Sequence, residues 1–227
     1  IILQNSTWSV YSYVHPPPPL STCLIVLICI LGSYPLYPGA TLVPGHDSLF
    51  DFAQSIPSNS AMQPALNDIT ESQAVNDDYR NSGQTRGHLN PSMHHSSESQ
   101  ISTFTYTNMA PQESNFNSGT WNQYETFLRD QILPSCSQAY ILTGIILSGS
   151  NPGEGRWLRD RVNVPTFYWS AFCCVKSDGT RWAEGRLGRN TSPYDVVTKT
   201  IPHLQDILSQ EYKAQVDWIL PREIRPA

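Results

Sequence analysis

The sequence predicts an α+β fold with a mostly antiparallel sheet and a few packed helices. Two apolar runs of strand length, 139–147 and 166–175, predict buried strands, and the period-two alternation of 101–108 predicts another. Apolar and aromatic residues recur at helical spacing over 120–132, which predicts a helix between them. The 227 residues suffice for one large domain or two small ones with a substantial core.

The first third of the chain is less regular. Aromatic enrichment with rough alternation predicts a strand over 8–14. Residues 16–65 are rich in Pro, Ser and Gly, so we expect loops or irregular structure there. A polar, acidic stretch predicts a short helix over 71–78.

Prolines and an asparagine mark the element ends in the middle of the chain. Pro111 should end the strand over 101–108 because proline lacks the N–H of a central strand. Asn117 is a plausible N-cap of the following helix, and Pro134 should close it.

The last third contains a hairpin signal and a helix signal. Asp178-Gly is a short-loop sequence, so residues 166–187 should form a β-hairpin. Residues 192–211 carry apolar residues at helical spacing, with Pro202 either interrupting or starting part of that helix.

The segment Cys23–Leu31 is fully apolar but only nine residues long. A membrane-spanning helix needs about 20 residues, so no stable span is expected. The segment fits the apolar core of a signal peptide, a buried strand, or a wrongly predicted coding sequence. Because the chain starts with Ile1, we expect a fragment or a processed form.

The cysteines and sequons favour an oxidising, secretory route. There is no C-x-x-C pair, which argues against a zinc site. We expect Cys136 to bridge to Cys173 or Cys174, the alternative being buried thiols in strands. Two Asn-x-Ser/Thr sequons, at Asn5 and Asn190, support the same route weakly.

The formal net charge of −5 is unevenly placed. Residues 1–79 hold six acids and no Lys or Arg, whereas residues 80–227 carry 14 bases against 13 acids. Within the latter, 151–191 holds seven bases against four acids. The overall charge therefore does not exclude a polyanionic partner, but it predicts weak, salt-sensitive binding without sequence preference.

A strand, loop, strand and helix between Arg86 and Ile132 place four chemically useful side chains near each other. His88 follows the first strand, and Asn117 and Glu125 are a little over two helical turns apart. A neutral imidazole can take a proton from water, a guanidinium can hold phosphate, and an amide oxygen with waters suits Mg²⁺. On spacing alone the case is weak, because a single His in a Gly/Pro loop is more often ordinary surface.

These residues lie in motifs that resemble a known family. Thr85-Arg-Gly-His-Leu-Asn-Pro91 resembles D-R-G-H-x-x-P, and it is followed in order by Thr107–Gln112, Phe116–Trp121 and Glu125. The chain is similar to the DNA/RNA non-specific endonucleases, which are ββα-metal (His-Me finger) nucleases, and most of all to the animal endonuclease domain-containing 1-like branch. The resemblance covers roughly residues 66–215.

The resemblance implies a role for each matched residue. His88 would be the general base and Arg86 a phosphate contact. Asn117 would be the single protein ligand of a hydrated Mg²⁺, or of Mn²⁺. Glu125 would orient the water around the metal, and Asn108 would support the active centre. Thr85 departs from the family, which has Asp there, and this puts orientation of the metal site in doubt rather than the chemistry.

The implied protein is a metal-dependent endonuclease that hydrolyses DNA, RNA or both, in the secretory or lysosomal pathway. Its catalytic domain would span 66–215, after an irregular N-terminal region over 1–65 that is truncated or wrongly predicted, and before a tail over 216–227. Thr85 and that N-terminal region favour, as an alternative, an inactive relative that binds nucleic acid or protein. A truncated product that does not fold is the third possibility. His94 and His95, in the polar loop after the motif, are expected at the surface.

Overall fold

The computed structural model describes residues 8–14, 74–95, 100, 103–104 and 108–216. The predictions made for 16–65, for Cys23–Leu31 and for the C-terminal tail beyond 216 lie outside these residues. None of the helices in the described part of the chain has the length and apolar character that crossing a bilayer requires.

The described elements combine nine strands with short helices, which confirms the α+β prediction. The strands are β1 Trp8–Val14, β2 Gln84–His88, β3 Met109–Glu113, β4 Gln138–Ile146, β5 Trp157–Leu158, β6 Val162–Asn163, β7 Phe167–Val175, β8 Arg181–Arg189 and β9 Val196–Lys199. The α-helices are α1 Asn76–Tyr79, α2 Trp121–Phe127 and α3 Ile201–Tyr212. A π-helical turn (Phe116–Thr120) precedes α2, and a second one (Leu128–Ile132) and a 3₁₀ turn (Leu133–Ser135) follow it.

The largest sheet has five antiparallel strands in the order β1-β4-β7-β8-β9. β1 covers the strand predicted over 8–14, and β4 and β7 start and end within one residue of the predicted runs. β7 and β8 form the predicted hairpin, with Val175 opposite Arg181. In its turn Asp178 Oδ1 accepts the Thr180 N–H at 2.8 Å, and Gly179 takes a φ of +83°, where a side chain would be strained.

Strand β7 divides the core into two layers. Tyr168, Phe172 and Cys174 face the helical run 116–135, while Trp169, Ala171 and Cys173 face α3. Residues of both sets are fully buried, so neither face of this strand meets solvent. The continuous apolar sequence of β7 follows from this, because a strand covered on both faces has no polar side.

A disulfide joins Cys136, at the end of the helical run, to Cys174 in β7, with 5.3 Å between the Cα atoms. This confirms the predicted bridge from Cys136. Cys174 is the partner because adjacent residues of a strand point to opposite faces, and Cys173 lies on the α3 side.

The strand predicted over 101–108 is wrong in the residues that the structure describes there. Thr103 lies in a turn, Phe104 is irregular, and Asn108 precedes the actual strand β3. Pro111 lies inside β3 and pairs in register with Arg86. It is tolerated because β3 belongs to a two-stranded sheet and has a neighbour on one side only.

The helix predicted over 120–132 starts earlier and is less regular. Asn117 is no N-cap, since it lies within the π-helical turn that precedes α2. That turn departs from helical geometry at Gly119, with φ −108° and ψ −112°. Pro134 does end the run, because the chain leaves helical geometry after Ser135.

The helix predicted over 192–211 is wrong in its first half. That stretch contains a cis Ser192-Pro193 bond and strand β9, and α3 starts only at Ile201. Pro202 occupies the first turn of α3, where its missing N–H has no cost, and Thr200 caps the helix. Pairing of β9 with β8 at the edge of the sheet therefore outweighs the helical spacing of the apolar residues.

Asn190 joins the small sheet of β2 and β3 to the five-stranded sheet. Its Nδ2 donates to the carbonyls of Pro111 and Pro165 at 3.1 and 2.9 Å, and its Oδ1 accepts the Glu113 N–H at 2.9 Å. The residue is 0% exposed. This sequon therefore has a structural role, and its asparagine is inaccessible to modification in the folded protein.

Candidate active site

The small sheet and the helical run produce the strand, strand and helix arrangement that the sequence predicted between Arg86 and Ile132. β2 pairs antiparallel with β3, with Gly87 opposite Ala110. A Cβ on Gly87 would lie 2.0 Å from Oε1 of Gln112, whose side chain is 0% exposed. The absence of a Cβ on Gly87 therefore leaves the space that the Gln112 side chain of β3 occupies, directly before His88.

His88 ends β2 with its ring largely enclosed by protein. The edge of the ring contacts Phe104, with 4.9 Å between the ring centroids. Burial lowers the pKa of His88 to about 4, so the imidazole is neutral at pH 7. Its Nε2 is buried and makes no hydrogen bond with the residues that the structure describes. The ring therefore carries an unused polar nitrogen, which is an unusual feature for a group held only for packing.

Asn117 approaches the same place from the π-helical turn. Its Nδ2 donates to Thr85 Oγ1 at 2.8 Å, which turns the nitrogen of the amide toward β2. Among the described residues no donor reaches its Oδ1. The oxygen remains available as a ligand for a hard cation.

Glu125 lies on α2, eight residues after Asn117, and is 9% exposed. Burial raises the pKa of its carboxyl group to about 8, and the neighbouring Trp121 side chain offsets part of this. The Trp121 indole N–H lies close to the carboxyl group without satisfactory hydrogen-bond geometry. A cation near this carboxyl group would favour its charged form.

These three side chains line one pocket, together with Pro91, Ser92 and Met93. The pocket is partly open, with a cavity volume of about 40 Å³, which is enough to admit water. Nowhere in the described residues do three His, Cys, Asp or Glu side chains cluster, so a metal site built mainly from such ligands is absent from this part of the chain. A divalent cation here would be held by one amide oxygen and water, with a carboxyl group nearby to accept hydrogen bonds from that water, and Mg²⁺ commonly keeps several waters in this way. The residues therefore fit a hydrated cation.

Arg86 and Asn108, also predicted as site residues, lie beside this pocket and do not line it. Arg86 is on the same face of β2 as His88, where its Nη2 donates to Asn76 Oδ1 and its guanidinium stacks over Tyr79. The residue is partly exposed to solvent.

Asn108 holds the backbone of Leu89 and Asn90, directly after His88, through hydrogen bonds. Its Oδ1 accepts the Asn90 N–H at 2.9 Å, and its Nδ2 donates to the carbonyls of Asn90 and Thr103 at 2.9 Å each. The Leu89 N–H donates to the Asn108 carbonyl at 2.9 Å. Asn108 thus fixes the backbone around residues 89–90, and its role in an active centre stays a prediction.

The expected surface placement of His94 is wrong, and His95 is only partly exposed. His94 is 7% exposed, and its Nε2 lies 2.8 Å from the Glu125 carbonyl. It fixes the pocket-lining loop 91–95 to α2. Sequence reasoning also missed Ser92 and Met93 as lining residues; their position directly after the histidine motif was the available signal.

The fold and this pocket define a compact α+β unit built around a histidine, an asparagine and a glutamate on a strand, strand and helix frame. The sequence model of the DNA/RNA non-specific endonuclease family matches residues 64–215. The chain therefore belongs to this family.

Individual proteins that are similar in sequence are also named as nucleases or endonucleases. The chain is 33% identical over 148 residues to the human endonuclease domain-containing 1 protein, covering 63% of this chain and 28% of that one. It is 32% identical over 143 residues to a nuclease of Nostoc sp., covering 61% of this chain and 48% of the relative. It is 30% identical over 115 residues to the human mitochondrial endonuclease G, covering 47% and 38%. The chain thus spans less than half the length of each of these relatives.

The fold is also similar to a solved structure, described as the EndoG/EndoGI complex and the mechanism of EndoG inhibition. The TM-score is 0.52 at 22% identity, covering 76% of this chain and 77% of that chain. At this identity the likeness concerns the fold alone.

Proposed function

We propose that this chain is a divalent-metal-dependent endonuclease that hydrolyses phosphodiester bonds of DNA, RNA or both. The observation that carries the proposal is the convergence of His88, Asn117 and Glu125 on one small pocket. Membership of the non-specific endonuclease family supports it.

In the proposed mechanism His88 is the general base. Its neutral imidazole accepts a proton from the attacking water, a role that contributes roughly a hundred- to ten-thousand-fold to rate. The negative phosphate favours the protonated ring, so substrate binding raises the pKa of His88 toward the working range. Arg86, at the rim, donates hydrogen bonds to phosphate oxygens.

The cation would lie against Asn117 Oδ1, and Mg²⁺ or Mn²⁺ fits this oxygen ligand. When bound, it stabilises negative charge on the phosphate and on the leaving oxygen. Glu125 accepts hydrogen bonds from waters in the pocket and compensates part of the added positive charge. Asn108 and His94 hold the surrounding backbone and do not touch substrate.

Affinity for the polyanion is expected to be weak and independent of sequence. The stretch 151–191 carries excess positive charge, but several of its bases are already paired. Arg161 donates to Asp78 at 2.9 Å, and Arg156 donates to Glu113 at 2.7 Å. Such pairing leaves few bases to neutralise phosphates, so binding should be weak and should fall further, with a shallow slope, as salt is added.

The test is nicking of supercoiled plasmid and cleavage of a structured RNA by the purified chain. Cleavage should require Mg²⁺ or Mn²⁺ and stop with chelator. His88→Ala and Asn117→Ala should each lose at least about a hundredfold in rate. His203→Ala, at an exposed position of α3, is the matched control and should retain full activity. Full activity of His88→Ala would overturn the proposal.

We further propose that residues 66–215 form the catalytic domain and that the protein follows the secretory or lysosomal route. The match over 64–215 supports the boundary, and the Cys136–Cys174 disulfide supports an oxidising compartment. Endonuclease G and its relative EXOG are named as mitochondrial proteins, so fractionation of cells expressing the full-length protein should distinguish the compartments.

A further inference from the structure

Thr85 occupies the position where the family pattern has aspartate, directly before Arg86. We propose that Thr85 is a positioning residue for the cation site and that its hydroxyl group sets the orientation of the Asn117 amide. This inference rests on the proposed function, since it assumes that Asn117 Oδ1 is the ligand.

The hydroxyl group of Thr85 has a single proton to donate. Thr85 Oγ1 lies 2.8 Å from the Gln112 carbonyl oxygen, and a carbonyl can only accept. The hydroxyl proton must therefore point to Gln112. The second contact of Oγ1, to Asn117 at 2.8 Å, then requires that Asn117 donate.

The consequence is a fixed amide orientation. With its nitrogen facing Thr85, Asn117 turns its oxygen away from β2, and the residue lines the pocket shared with His88 and Glu125. If the amide were turned the other way, its oxygen would face a hydroxyl group that has no proton left to give. The backbone carbonyl of Gln112 thus determines, through Thr85, that the Asn117 amide presents its oxygen and not its nitrogen to a cation.

The frame that holds this hydroxyl group is rigid. Thr85 lies directly opposite Gln112 in the β2–β3 register, and its β-branched side chain has few rotamers. An aspartate could accept from Asn117 through its charge, but it has no proton for the Gln112 carbonyl. The Thr85 hydroxyl oxygen therefore also accepts a hydrogen bond from Asn117, because its own proton is donated to Gln112. Unlike an aspartate, it adds no negative charge.

The experiment measures Mn²⁺ binding by isothermal titration calorimetry, with no nucleic acid present. Thr85→Val removes both hydrogen bonds at nearly constant shape, and Thr85→Ser restores the hydroxyl group. Thr85→Val should weaken Mn²⁺ binding about 10- to 100-fold, as losses around a metal ligand do, and Thr85→Ser should stay within about threefold of the native chain. Asn117→Ala sets the level without the ligand.

A second readout does not depend on the variants folding. In the metal-free native chain, NMR of the Asn117 side-chain amide should show slow hydrogen exchange and a shifted resonance for the proton that Thr85 accepts. Exchange as fast as in an exposed asparagine would overturn the inference.

The calorimetric outcomes distinguish failure of the Thr85 role from failure of the proposed cation site. If Asn117→Ala loses Mn²⁺ while Thr85→Val binds it as the native chain does, the positioning role of Thr85 is wrong and the proposed cation site stands. If Asn117→Ala binds Mn²⁺ as the native chain does, the proposed cation site is wrong, and the role of Thr85 falls with it.

Discussion

Reduction of the Cys136–Cys174 disulfide should destabilise the protein by about 4 kcal/mol. The bond joins residues 38 apart in sequence, and the chain-entropy relation for a loop of that size gives about 13 cal/mol/K, or about 4 kcal/mol at 25 °C. Both cysteines lie in the buried layer between the helical run and the sheet. With a urea m-value of about 2 kcal/mol/M, the midpoint should fall by about 2 M.

The assay is urea unfolding of the same preparation with and without dithiothreitol, followed by tryptophan fluorescence. The Cys136→Ala/Cys174→Ala double variant is the control, because its midpoint should be independent of reductant. An identical midpoint for the native chain in both buffers, with thiol titration confirming reduction, would refute the entropic reasoning.

Two further predictions concern buried polar residues. Burial lowers the pKa of His94 from 6.5 to about 4, so between these values the unfolded chain binds protons that the folded chain does not. The contribution of His94 to the free energy of unfolding should therefore be fully present above pH 6.5 and be lost, by up to about 3 kcal/mol, as the pH drops to 4. His88 has a similar shift and Glu125, whose pKa is raised, an opposite one, and both remain in the variant. His94→Gln should therefore lower the number of protons taken up on unfolding between pH 4 and 6.5 by about one, measured from urea titrations at several pH values, and an unchanged pH dependence would contradict the assignment. Asn190→Asp should cost about 3 kcal/mol or more, because a buried carboxylate would face two carbonyl oxygens. Peptide mapping of protein expressed in a eukaryotic secretory host should find Asn190 unmodified, and a glycan there in folded protein would show that the residue is accessible.

The sequence predicted the parts of the fold in which local pattern and tertiary context agree. β4 and β7 are long apolar runs buried on both faces, so their hydrophobicity alone located them. The stretch 192–199 carries apolar residues at helical spacing, yet its last four residues, Val196–Lys199, pair with β8 as an edge strand. Strand propensity depends on neighbours that the local sequence does not contain, and this is why the strand prediction also failed at Thr103 and Phe104.

For the candidate site, motif order located His88, Asn117 and Glu125, and the structure brings them to one pocket. Their roles stay predictions. The contact between Thr85 and Asn117 joins residues 32 apart and depends on the β2–β3 register, which no spacing rule specifies. His94 was misplaced because a polar loop composition does not reveal that one of its side chains inserts toward a helix carbonyl.

The adjacent cysteines of β7 have a consequence for how the strand finds its place. If β7 slipped by one residue against β4, Cys173 would move to the side of Cys136, and a disulfide could still form in the wrong alignment. Formation of a disulfide by itself therefore does not distinguish the native strand alignment from the shifted one. Discrimination comes from the large side chains on either side, because the same slip would carry Trp169 out of the layer against α3 and into the space that Tyr168 and Phe172 fill. Oxidative refolding should give the native bond only after these aromatic residues have sorted to their own faces.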